Sequence, residues 1–77
     1  MRQYHEGLRA YGWKILTADK TFIVDVFTIS YLQSKSAVLA YPGLVKALEF
    51  MGGTQLTLEQ IEAYRQGKDF FILKIYN

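Results

Sequence analysis

Catalysis or metal binding needs a nucleophile, a proton carrier or a cluster of ligands, and few residues in this sequence could supply them. There is one histidine, His5, beside Glu6, and there is no cysteine. A structural zinc shell takes four ligands, so a lone His without Cys or a second His cannot fill one. The pair reads as solvated surface. A nucleophilic arrangement would have to recruit His5 as base, and no nucleophile-elbow sequence frames any Ser or Thr. Paired carboxylates would have to come from Asp19, Asp25, Asp69, Glu59 or Glu62. Asp19 and Asp69 read as turn residues, and Glu59 as a first-turn charge that suits the helix dipole. Asp25 lies inside an apolar run, where an ion pair with Lys74 or Lys14 is its simplest explanation. Gly52-Gly53-Thr54 lacks the lysine-bearing phosphate-loop pattern and reads as a helix end. No catalytic residue, metal site or cofactor is expected.

The remaining class is binding, and composition bounds it. A chain of 77 residues buries only roughly 60% of its unfolded surface, enough for one core, so residues 1–77 are expected to form one domain. Without disulfides or a metal, stability must come from packing. Hydrophobic residues make up 51% of the chain and aromatics 16%, six Tyr and five Phe among them, which excludes a disordered chain. The net charge of +2 is spread as single residues. That permits nucleic-acid binding without a concentrated phosphate footprint. The N-terminal MRQYHEGLRAYGW has no apolar signal region, and TFIVDVFTISYL falls short of the ~20 residues that cross a bilayer. A cytoplasmic protein with no membrane partner is expected.

The elements follow from periodicity and turn chemistry. Residues 1–12 read as a short strand or irregular arm. WKILT and TFIVDVFTISYLQ are rich in β-branched and aromatic residues and flank the break Ala18-Asp19-Lys20, which predicts a β-hairpin. Ser36 to Tyr41 fits a third short strand or a helix start. From Pro42 to Met51, Leu44, Val45, Leu48 and Met51 fall at helical spacing before Gly52-Gly53, which predicts an amphipathic helix. Thr57-Leu58-Glu59-Gln60 has the form of a capping box, opening a second helix that Gly67 ends. Lys68 to Tyr76 reads as a last strand. The class expected is α+β: a two-layer domain with a small, mainly antiparallel sheet and two short helices on one face.

Strand alternation then separates core from surface. An unpaired buried carboxylate costs several kcal/mol, so the face bearing Asp25 is expected to be open, with Phe22, Val24 and Val26 joining Phe71, Leu73 and Ile75 beneath the helices. The open face would display Ile23, Phe27, Ile29, Tyr31, Phe70, Ile72 and Tyr76 around Asp25 and Lys74. Contiguous apolar surface of that kind marks an interaction site. Alternatively, an N-terminal arm bearing Tyr4 and Tyr11 folds across it as ordinary core. The expected function is a non-catalytic binding or regulatory protein, suited to a phage or mobile element, that docks on a larger protein and modulates or inhibits it. The expected partner-binding set is Asp25, Phe27, Ile29, Tyr31, Ile72, Lys74 and Tyr76, and the same face or an edge strand could form a homodimer. The competing reading is a nucleic-acid binder using Trp13, Lys14, Tyr31, Lys74 and Tyr76 as an aromatic and basic sheet face.

Overall fold

The computed structural model describes residues 1–76. The hairpin forms where β-propensity and the polar break place it, as β1 (Arg9–Thr17) and β2 (Thr21–Thr28). Its turn is closed by Thr17, whose amide and hydroxyl both donate to the Lys20 carbonyl, at 2.8 and 3.0 Å. The last strand forms as β4 (Phe70–Tyr76) and lies antiparallel to β2. The four strands run antiparallel in the order β3-β1-β2-β4, with β3 spanning Leu44–Thr54. With two helices, α1 (Tyr31–Leu39) and α2 (Leu58–Arg65), this is the small α+β fold expected.

Two elements differ from expectation, and each difference has a local cause. The predicted helix over Pro42–Met51 is strand β3. Tyr41-Pro42-Gly43-Leu44 is a tight turn, with Gly43 at φ +80° and the Leu44 amide donating to the Tyr41 carbonyl at 3.1 Å. Pro followed by a glycine at positive φ is the arrangement of a type II turn, and it starts a strand here rather than a helix. The helical spacing has a separate origin. The pairing of β3 with β1 shifts register three times, so Leu44, Ala47, Phe50 and Gly53 are the residues opposite Thr17, Ile15, Trp13 and Tyr11. A bulge adds one residue to one strand of a pair; repeated in this way it makes one face of a strand recur every third residue, close to a helix period.

The second difference is that the long strand expected over residues 21–33 stops at Thr28, and Tyr31 begins α1. Ser30 caps the helix, its hydroxyl accepting from the Gln33 amide at 3.2 Å. Ser36 to Leu39 are therefore helical. Of the buried positions on α1, Ser34 is polar and only Val38 is aliphatic, while Leu32 and Leu39 are exposed. An apolar stripe so reversed carries little periodic signal. Ser34 is buried because the Trp13 indole donates to its hydroxyl at 3.0 Å, and that hydroxyl donates to the Tyr31 carbonyl at 2.7 Å.

The core divides into two clusters, one on each face. On the first face α1 lays Val38 against Trp13, Ile15, Val24 and Val26, with Phe22, Tyr41, Leu44, Ala47 and Phe70 around them. On the second, Phe27 and Ala10 pack with Leu8, Leu56 and Ala63, flanked by Tyr4, Tyr64 and Phe71. The helices thus cover opposite faces rather than the single face expected, because α1 packs on Val24 and Val26 and α2 on Phe27, which point to opposite sides of β2. Helix α2 reaches only the end of the second face near Phe27. The expected core set on the last strand also divides. β4 shifts register at Leu73, so Phe71 stands opposite Asp25 while Ile75 stands opposite Phe22, and Leu73 and Ile75 are about half exposed.

The face expected to be open at Asp25 and Phe27 is closed there. Asp25 is 7% and Phe27 4% exposed. Residues 1–8 contribute as the alternative reading allowed for Tyr4, whereas Tyr11 lies in β1 and packs on the first face: Leu8 is buried, Tyr4 packs on the cluster, and Arg2 ties the arm to Asp69 at 2.7 Å and to the Arg65 carbonyl at 2.8 Å. Asp25 takes no lysine partner. The Gln60 side-chain amide donates to its Oδ2 at 2.6 Å. Gln60 also completes the expected capping box, its Oε1 accepting from the Thr57 amide at 3.0 Å and its own amide donating to Thr57 Oγ1 at 3.1 Å.

Candidate interaction surfaces

The edge strand β3 and helix α1 leave a cleft between them of about 560 Å³. One end is aromatic. The ring of Trp13 lies 5.7 Å from Tyr31 and 5.1 Å from Phe50, and Tyr31 meets Phe50 edge-on at 4.8 Å, centroid to centroid. Trp13 is held from behind by Ser34, so the cluster is anchored at its base and presents Tyr31 and Phe50 outward. Along the walls Leu39, Val45 and Leu48 are 59%, 62% and 43% exposed. Lys35 and Lys46 also line it, with Glu49 the acidic residue among them. The cleft is thus a concave, mainly apolar surface with fixed rings at one end.

A different surface occupies the part of the second face that α2 leaves uncovered. Lys14 of β1, Ile23 of β2 and Lys74 of β4 stand in one row across the sheet, with Glu49 of β3 at its end. The next row is Lys46, Leu16, Thr21 and Tyr76. The ammonium groups of Lys14 and Lys74 lie 5.3 and 4.9 Å from the Tyr76 ring centroid.

Between this surface and α2, the buried Asp25 carboxyl accepts from Gln60. Burial pushes its pKa above the ordinary aspartate value, while the hydrogen bond from Gln60 pulls the other way. Gly12 lies directly beside it: a Cβ there would stand 3.1 Å from Met51 Cβ and 3.3 Å from Asp25 Oδ1. The carboxyl is buried and accepts from Gln60, so it is a packing and hydrogen-bonding group between the sheet and α2. No group of three or more His, Cys, Asp or Glu converges among the described residues.

The expected partner-binding residues do not form one surface. Asp25 and Phe27 are interior. Ile29 is 53% exposed in the β2–α1 connection, Tyr31 rims the cleft, and Ile72 stands opposite Val24 on the first face. Lys74 and Tyr76 lie on the second face. Of the expected nucleic-acid set, Trp13 is buried beneath α1 and Tyr31 is on the cleft, while Lys14, Lys74 and Tyr76 come together. Sequence reasoning passed over Leu39, Val45, Leu48 and Phe50, because the last three fall within the segment Pro42 to Met51 that reads as a helix. The available signal was the Pro42-Gly43 dipeptide, which marks a turn.

The arrangement defines a small α+β fold with a four-stranded antiparallel sheet. No protein-family model matches the chain, and no curated protein or solved structure matches it. No helix of the described residues is long and apolar enough to cross a membrane.

Proposed function

We propose that this is a non-catalytic regulatory protein that docks on a larger protein partner through the α1–β3 cleft and modulates it. The observation that carries the reading is the concentration of exposed apolar side chains, Leu39, Val45, Leu48 and Phe50, around a cleft whose aromatic end is anchored in the core. Exposed apolar area gathered at one place is the mark of an interaction site. β3 is an edge strand, but its three register shifts interrupt the row of backbone donors and acceptors that an added strand would need. The partner is therefore gripped by side chains, with an apolar segment seated between Leu39 and Leu48 and a larger side chain against Tyr31 and Phe50. The lysines beside the cleft favour acidic residues flanking that segment.

The test is affinity capture from a native, nuclease-treated lysate, comparing the natural chain with Val45→Glu and Leu48→Glu. Both positions are exposed, so both variants are expected to fold as judged by circular dichroism and to lose the captured protein. Capture unchanged by either charge would contradict this docking site. Self-association is a corollary for the other edge, where β4 exposes Ile72, Leu73 and Ile75 and its single charge, Lys74, lies over Tyr76. A dimer in sedimentation equilibrium that Leu73→Lys converts to monomer is the expected result.

A further inference from the structure

The open half of the second sheet face differs from the cleft in charge, and the difference accounts for the charge of the whole chain. Lys14, Lys46 and Lys74 stand there against Glu49, a local balance of +2, which equals the formal net charge of the protein. The six basic and six acidic residues elsewhere cancel. Charges that look dispersed along the sequence are thus sorted by the sheet, which brings together residues from β1, β3 and β4.

Between the lysines lies an apolar floor, Leu16 and Ile23, and one ring, Tyr76. Neighbouring strands are about 4.8 Å apart, so Lys14 and Lys74, separated by β2, start about 10 Å apart at the backbone. Both nonetheless bring their ammonium groups within 5.3 Å of the same ring. Among the described residues none of these lysines is in an ion pair: the ion pair there is Arg2 with Asp69, on another part of the molecule. Two ammonium groups beside a part-exposed ring, with Lys46 at the β3 end of the same row, are complementary to a ligand with repeated negative charge and planar groups.

We infer that this half-face binds single-stranded nucleic acid, its phosphates on Lys14, Lys46 and Lys74 and one base against Tyr76. A single strand suits the surface better than a duplex, because a base must leave its stack to lie on a side-chain ring and a flat sheet does not enter a groove. Lysine is a point charge without the fork that reads base edges, so binding is tolerant of sequence. Lys46 and Glu49 stand on the β3 edge and also line the docking cleft, whereas Lys14, Lys74 and Tyr76 lie outside it, so the inference rests on those three.

The experiment is fluorescence anisotropy with a labelled twelve-nucleotide oligothymidylate over a salt series. Three phosphate contacts on a single strand give a slope of about −2 in log K against log salt, or roughly twentyfold weaker binding from 50 to 200 mM. The double variant Lys14→Gln/Lys74→Gln is expected to bind at least tenfold more weakly with a slope near −0.7. Tyr76→Ala is expected to weaken binding roughly tenfold through lost stacking. Lys35→Gln/Lys68→Gln removes the same charge from other surfaces and is expected to bind as the natural chain does, which separates a site from a net-charge effect. Absence of binding at 20 mM salt overturns the inference. So does equal loss in the two double variants, or polyglutamate competing as well as unlabelled oligonucleotide.

Discussion

At the scale of single residues, Asp25 and Gln60 add a buried hydrogen bond to the apolar packing of Ala63, Ile61 and Tyr64 that holds α2 to the sheet. Gln60 spends its carbonyl oxygen on the Thr57 amide and its amino group on Asp25, so one side chain both starts the helix and docks it. Thr57→Ala removes only the cap and is expected to cost about 1 kcal/mol. Gln60→Ala also leaves a buried carboxyl without its donor and is expected to cost roughly 2–3 kcal/mol in urea unfolding. The carboxyl itself is destabilising when charged. Because burial raises its folded pKa above the unfolded value, its contribution to stability is fully present at acid pH and is lost as pH rises through the raised value. Asp25→Asn keeps an acceptor for Gln60 and removes the charge. It is expected to raise the melting temperature at pH 7.5 and to lose that gain by pH 4; a variant less stable than the natural chain at both pH values would refute the assignment. Phe27 marks the same interior: Phe27→Ala is expected to cost about 3–5 kcal/mol, against under about 0.5 for a change at exposed Leu58.

At the scale of elements, β3 is where sequence and structure part. Its apolar residues were readable as a helix because bulges at every third residue imitate a helical period, and no pattern rule distinguishes the two without knowing the partner strand. The turn before it decides the matter. Gly43 has φ +80°, and a Cβ there would meet nothing within 4 Å, so Gly43→Ala isolates the backbone term. It is expected to lower stability by about 1–2 kcal/mol without changing the fold; no change in stability would mean that the turn does not dictate the strand. The hairpin, the capping box at Thr57, Gly67 and β4 were readable because each rests on local chemistry. Helix α1 was not, since it buries one aliphatic residue, Val38, and its other buried contact is a hydrogen bond between Ser34 and Trp13, residues 21 apart in sequence. The candidate cleft was missed for the same reason as β3: its walls come from the two elements whose type was misread. Strand alternation alone puts Lys74 and Tyr76 on one face, while bringing Lys14 to them depends on the pairing register across β2.

At the scale of the whole molecule, the sheet separates two chemistries. The first face and its edge carry exposed aliphatic and aromatic groups around α1 and β3, and the second carries the excess positive charge. A protein that docks through one surface leaves the other free, which allows a regulator to hold a protein partner and a nucleic acid at once. The central claim is that the α1–β3 cleft grips a protein. Its most direct measurement is site-specific photo-crosslinking in cells, with a benzophenone amino acid placed in turn at Leu48, on the cleft, and at Leu58, which is 87% exposed and outside it. The expected result is a discrete protein adduct from position 48 and none from position 58. No adduct at 48, or the same adduct from both, would contradict the claim.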